Sequence, residues 1–188
     1  MIPDHLITIL MLGGARRVSM AELLMQSGKH MGKAVRILSY ELQAKVPIAA
    51  VADVIVGRKW SDPLVVDDLL EVCRREHVDI ILPFVDGAIE IAARCSEKLP
   101  EVFVPASASD VAETMFDKIA AAKAFKEAEI PIPTTYSALT ATMPAIAKPR
   151  HGSASRGIKV FYNMEDLMQL EGITEYLVQE YIEKSEEY

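Results

Sequence analysis

The chain has 188 residues, of which 51% are hydrophobic and 25% charged, and it carries a net charge of −7. That length and apolar content suffice for one sizeable core or two small ones, while the acidic balance excludes a general nucleic-acid or anionic-membrane surface, since both require clustered Lys and Arg. The two cysteines, Cys73 and Cys95, lie in helical patterns without a CxxC partner or a nearby His, and the apolar start has neither a basic segment nor a small-residue cleavage site; both features read as a reduced, cytoplasmic protein.

Residues 6–12, LITILML, form an apolar run closed by Gly13-Gly14, the pattern of a strand buried on both faces. An amphipathic helix follows, with Val18, Leu23 and Leu24 on its apolar face and Gly28 as its stop signal. AVRILSYE predicts a second strand ending near Glu41, and residues 49–56 read equally as strand or helix. Ser61-Asp62-Pro63 supplies a cap and a first-turn proline for a helix over 63–76. VDIILPF predicts another buried strand, residues 87–99 a helix, and VFVP a short strand ending at Pro105. Strands alternating with helices imply a parallel, doubly wound sheet.

Beyond Pro105 the pattern changes, and a domain boundary is expected there: 1–105 in front, 106–188 behind. Residues 107–126 predict two helices in close succession, and EIPIPTTYSA reads as a proline-punctuated link. The runs PAIAK, GIKVFY and EYLVQEYI, with a short helix over 165–170 capped by Asn163, predict an antiparallel sheet in a small α+β lobe.

Between the first two of those runs lies AKPRHGSASRG. GSASRG has the spacing of a P-loop opening, but Gly157 is followed by Ile158, Lys159, Val160 and Phe161 instead of the Lys-Ser/Thr start of a helix. The stretch therefore reads as a flap joining two strands. Small residues there let successive backbone N–H groups approach a polyphosphate, and Lys148 adds a point charge. Taken alone, the same stretch reads equally well as a plain surface hairpin. Asp117-Lys118 opens a helix some thirty residues earlier, and residues 179–182, Gln-Glu-Tyr-Ile, offer main-chain donors and acceptors with flanking apolar surface suited to a purine.

In order and spacing, MFDKIAAAKAFKEAEIPIPTTY, IAKPRHGSASRGIKVF and LVQEYIEKSEEY resemble the ATP-grasp superfamily, most closely members similar to the large subunit of carbamoyl-phosphate synthase. The resemblance implies an α/β fold: a Rossmann-like pre-ATP-grasp domain followed by the N-terminal lobe of an ATP-grasp domain. It implies ATP and Mg²⁺ as cofactors. Lys118 and Lys148 would contact the phosphates with Gly152, Ser153, Ser155 and Gly157 in the flap; Glu180, Tyr181 and Ile182 would form the adenine edge, and Glu187 would hold the ribose. His151 and Arg156 read as exposed flap residues.

The implied reaction is ATP-dependent ligation of a small carboxylate to an amine or ammonia through an acyl phosphate, with ATP and those substrates as partners, a homodimer as one open assembly, and neither nucleic acid nor membrane. The family's magnesium ligands are expected beyond Tyr188, so the chain is expected to be the front of a longer ligase, inactive by itself. Arg16, Arg17 and Asp86 follow predicted parallel strands, where ligands usually bind, and are candidate substrate contacts. Two other classes stay open: a nicotinamide dinucleotide protein using Gly13-Gly14 and Glu41, although LGGARRVSM lacks G-x-G-x-x-G, and a non-catalytic nucleotide-binding module.

Overall fold

A computed structural model describes residues 6–183, and the chain divides into two compact units, Met1–Ala112 and Glu113–Tyr188. The first holds β1 (Leu6–Leu12), α1 (Val18–His30), β2 (Ala34–Glu41), a 3₁₀ turn (Pro47–Ala50), β3 (Asp53–Val56), α2 (Val65–Glu76), β4 (Ile80–Pro83) and α3 (Asp86–Lys98). All pairings are parallel, in the order β3-β2-β1-β4. Because β1 has neighbours on both sides, its side chains alternate between two cores. Leu10 and Leu12 join Leu38, Ile81 and the apolar faces of α2 and α3. Ile9 and Met11 join Ile37, Ala21 of α1 and Ile48. The continuous apolar run is thus the signature of a central strand covered on both faces.

Three local expectations change. Gly28 does not end α1: it lies inside the helix, fully packed, and a Cβ there would meet Val35 Cγ2 at 2.2 Å, so the glycine serves close approach of helix to strand. The 63–76 helix begins two residues later, at Val65, because Asp62 holds a preceding turn, its Oδ1 accepting the Leu64 N–H at 2.8 Å and its carbonyl the Val65 N–H at 3.1 Å. Residues 102–105 form no strand; Phe103 makes a single parallel bridge to Ile80 beside β4. The ambiguous stretch 49–56 resolves into the end of the 3₁₀ turn and then β3.

The division between the units falls within α4 (Ser109–Phe116). The second unit continues with α5 (Lys118–Glu127), β5 (Thr135–Tyr136), β6 (Ala145–Pro149), β7 (Lys159–Phe161), α6 (Met164–Met168) and β8 (Tyr176–Glu180). The sheet is antiparallel, in the order β5-β8-β6-β7. The proline link contains β5, which pairs Thr135 with Gln179; two residues are too few to show a period. One face of this sheet, carrying Ala145, Ala147, Phe161 and Val178, packs on Leu167 and Leu170 as a core. Asn163 caps α6 by accepting the Asp166 N–H at 2.9 Å.

Candidate functional site

The other face of the antiparallel sheet holds the site. Alternation along β6 and β8 sends Lys148, Leu177 and Gln179 together to that face, where Lys148 lies opposite Leu177 in the register. They line a cavity of about 360 Å³ with Met115, Lys118, Ala121, Ala122 and Phe125 from the helical side and Ile132 and Pro133 from the link. The walls are mostly apolar, and two ammonium groups and one amide supply the polar features. This is the make-up of a small-molecule site, and its volume lies within the usual range.

Each polar group is held by a specific partner. Gln179, only 4% exposed, accepts a hydrogen bond from Lys148 Nζ at 3.0 Å on Oε1 and donates from Nε2 to Pro133 O at 3.3 Å and Thr135 Oγ1 at 3.2 Å. Lys118 reaches out of the first turn of α5, and its Nζ donates to the carbonyl of Gly152 at 2.8 Å. Asp117 caps that helix, Oδ1 accepting the N–H groups of Ile119 at 2.9 Å and Ala120 at 3.2 Å. Its other oxygen accepts a hydrogen bond from Arg150 Nε at 2.7 Å and lies 2.6 Å from Arg150 Nη2 in an ion pair. The Arg150 guanidinium, with the capping N–H groups, holds the Asp117 carboxyl at about 2, against an opposing effect of burial.

The flap from His151 to Gly157 is exposed and joins β6 to β7 with no helix, as the strand-forming residues after Gly157 predict. Ala154 and Ser155 take φ of 55° and 57°, and Arg156 N–H reaches Ser153 O at 3.3 Å, which makes a tight left-handed turn at the tip. Its two glycines bracket the turn at φ 125° (Gly152) and 74° (Gly157). At Gly157 a Cβ would also meet Pro149 Cγ at 2.9 Å, so conformation and space both require glycine there.

The structure thus brings Lys118, Lys148 and Gly152 together directly, with Ser153, Ser155 and Gly157 in the exposed flap that follows. At the end of β8, Glu180 N–H is donated to Thr134 O at 2.9 Å and Tyr181 N–H to Pro144 O at 3.1 Å, while the Glu180 carboxylate accepts the Thr134 N–H at 3.0 Å. Ile182 is exposed, and no hydrogen bond among the described residues engages its N–H. Glu187 lies outside the described residues. Two residues with no assigned role in the sequence reading emerge here: Arg150, and Gln179 through its side chain. Arg150 and Asp117 are 33 positions apart, and nothing local announces their pairing. An amide-bearing residue inside an apolar strand is the one signal that marks Gln179.

In the first unit, Arg16 and Arg17 follow β1 and Asp86 opens α3 after β4; all three are exposed, at the carboxyl ends of adjacent strands. Glu41 is buried and accepts a 2.6 Å hydrogen bond from Ser39, and a Cβ on Gly14 would meet that same Ser39 Oγ at 2.9 Å. The carboxylate is turned inward and already paired. Among the described residues no three His, Cys, Asp or Glu side chains gather to hold a metal ion, and no helix is long and apolar enough to cross a membrane.

A lysine-bearing helix and a lysine-bearing strand thus meet at one cavity, with the glycine flap joined to it through the Lys118–Gly152 contact. Residues 115–187 match the model of the ATP-grasp domain family. The fold agrees across nearly the whole chain. It is similar to the biotin carboxylase domain of Hydrogenobacter thermophilus 2-oxoglutarate carboxylase, a dimer in complex with MgADP, ADP and bicarbonate (TM-score 0.68, 19% identity, 94% of this chain and 44% of that one). It is also similar to Staphylococcus aureus N5-carboxyaminoimidazole synthetase complexed with ADP (0.66, 20%, 94% and 48%) and to Bacillus licheniformis L-amino acid ligase (0.67, 13%, 95% and 44%). The chain spans less than half the length of these structures. Comparison with curated proteins found no match.

Proposed function

We propose that the chain is the nucleotide-binding front of an ATP-grasp ligase that joins a small carboxylate to an amine or ammonia through an acyl phosphate, of the kind similar to the large subunit of carbamoyl-phosphate synthase. On this reading residues 1–105 form a pre-ATP-grasp domain and 106–188 the first lobe of the ATP-grasp domain. The observation that carries it is the convergence of Lys118 and Lys148, from different elements, in one largely apolar cavity beside a glycine flap. Apolar walls suit a purine, and two fixed ammonium groups suit phosphates, whose charge must be neutralised for phosphoryl transfer. The Ile182 N–H and the Glu180 carbonyl would meet the adenine edge, the flap N–H groups would cover the phosphates, Glu187 would hold the ribose, and Arg16, Arg17 and Asp86 would contact the substrate.

ATP with Mg²⁺ is the proposed nucleotide; the ion would supply charge neutralisation at the phosphates, and Lys118 and Lys148 would add theirs from this chain. A cytoplasmic location and a homodimer belong to the same proposal. The inward-turned, Ser39-paired Glu41 gives the dinucleotide alternative no ribose ligand. The test is NMR titration of the chain with MgATP. Perturbed amides should cluster on the cavity, the flap and residues 180–182, and Lys118→Met and Lys148→Met should each weaken ATP by about tenfold or more, the worth of a charge-assisted contact. Absence of any perturbation at millimolar ATP, or perturbation confined elsewhere, would refute the proposal.

A further inference from the structure

Arg150 makes three hydrogen bonds and one further ion-pair contact, to two parts of the second unit. Its N–H donates to Glu175 O at 2.8 Å, just before β8, and its carbonyl accepts the Lys118 N–H at 3.0 Å, at the first residue of α5. Its guanidinium grips Asp117, the cap of that helix, from two nitrogens at 2.7 and 2.6 Å. Two residues along the chain, Gly152 offers its carbonyl to Lys118 Nζ. The segment 148–152 therefore carries one ammonium into the cavity through Lys148, anchors α5 through Arg150, and receives the other ammonium at the flap root through Gly152. We propose that Arg150 is a positioning residue: by tying the capped end of α5 to the end of β6, it sets where the Lys118 ammonium stands relative to the flap and to a bound phosphate chain.

The geometry favours this role over that of a general stabilising pair. The guanidinium is 40% exposed while Asp117 is 10% exposed, so the arginine comes from the open side to a carboxylate already fixed by two helix N–H groups. The helix keeps its cap without Arg150. What is lost without it is the two-point attachment of Asp117 and Lys118 to the strand that leads into the flap, so the lever arm of Lys118 is free to swing. Two of the three guanidinium nitrogens converge on one carboxylate oxygen, a contact that lysine, with its single nitrogen, replaces only in part. The inference rests on the nucleotide reading for its phosphate, but the placement of Lys118 against the flap is a property of the chain alone.

The experiment uses the 188-residue chain, isotope-labelled, with Arg150→Gln, Arg150→Lys and Asp117→Asn. Asn retains the acceptor for both capping N–H groups, so that variant removes the ion pair and keeps the helix end. Without ligand, Arg150→Gln and Asp117→Asn should shift and broaden the amide signals of residues 152–157 and leave those of β6 and β8 in place; Arg150→Lys should fall between them and the parent. With ATP, affinity should drop about tenfold in the first two variants, while adenosine, which lacks phosphate, should bind within about twofold of the parent. Unchanged flap signals in Arg150→Gln overturn the proposal, and so does equal weakening of ATP and adenosine, which marks a purely structural role. If the parent binds neither ligand the nucleotide reading fails, and the ligand-free flap signals decide the positioning role by themselves.

Discussion

Gly28→Ala sets helix propensity directly against packing. In an exposed helix interior the exchange stabilises by about 1 kcal/mol. Here the new Cβ would lie 2.2 Å from Val35 Cγ2 and 3.3 Å from the Lys33 carbonyl, well inside the roughly 3.5–4.0 Å at which carbon atoms attract. Val35 sits in β2 and is stiff at χ1, so it cannot swing away cheaply, and α1 must lift off the sheet. At so short a separation the cost lies in the upper part of the overpacking range, about 2–3 kcal/mol, so the net effect is a loss of about 1–2 kcal/mol after the propensity gain is credited. Trp60, the single tryptophan, lies in the first unit and reports its unfolding. With a urea slope near 2 kcal/mol/M, the fluorescence midpoint should fall by roughly 0.5–1 M. In a Val35→Ala background the same exchange should recover most of that loss, a coupling that only contacting residues show. A midpoint that rises on Gly28→Ala would refute the packing argument.

The Asp117 carboxyl is depressed to about 2 from an ordinary 3.8. A depressed folded value means that its contribution is complete above pH 4 and is lost as pH falls toward 2; carboxyl NMR should show the low titration, and Asp117→Asn should flatten that part of the second unit's acid denaturation. A titration near 4 would dismiss the Arg150 pairing. Fully buried Tyr40 donates from its hydroxyl to Asp68 and accepts the Arg58 N–H at 2.7 Å, so Tyr40→Phe leaves that N–H without its acceptor and should cost about 1–3 kcal/mol in the Trp60 transition; a cost below about 0.5 kcal/mol would contradict it. Burial pushes the thiols of Cys73 up to about 12 and of Cys95 up to about 11, so iodoacetamide at pH 8 should label neither faster than the first unit opens; labelling at the rate of a free thiol would be the contrary result.

Much of the architecture is written locally. LITILML is a central strand because every residue in it except Thr8 is apolar, as a strand covered on both faces requires. The flap is legible because Gly152 and Gly157 mark positive φ and the residues after them favour a strand. Asp117-Lys118 announces a capped helix start. Local sequence therefore determined most of the elements and the two sheet types, which depend on a residue's own conformational preference and on periods of two or 3.6, though not β5 and not the absence of a strand at 102–105.

Tertiary structure alone decided which distant residues meet. The role of Gly28 depends on where Val35 lies, and β5 exists only because β8 offers it an edge. Arg150 reads as an ordinary charged loop residue until the fold closes the gap to Asp117, and the Gln179 side chain has no evident role until Lys148, Pro133 and Thr135 surround it. The physical reason is range: propensity and patterning act over a few residues, whereas ion pairs, close approaches and buried amides are satisfied by partners that only chain folding brings within 3 Å or so.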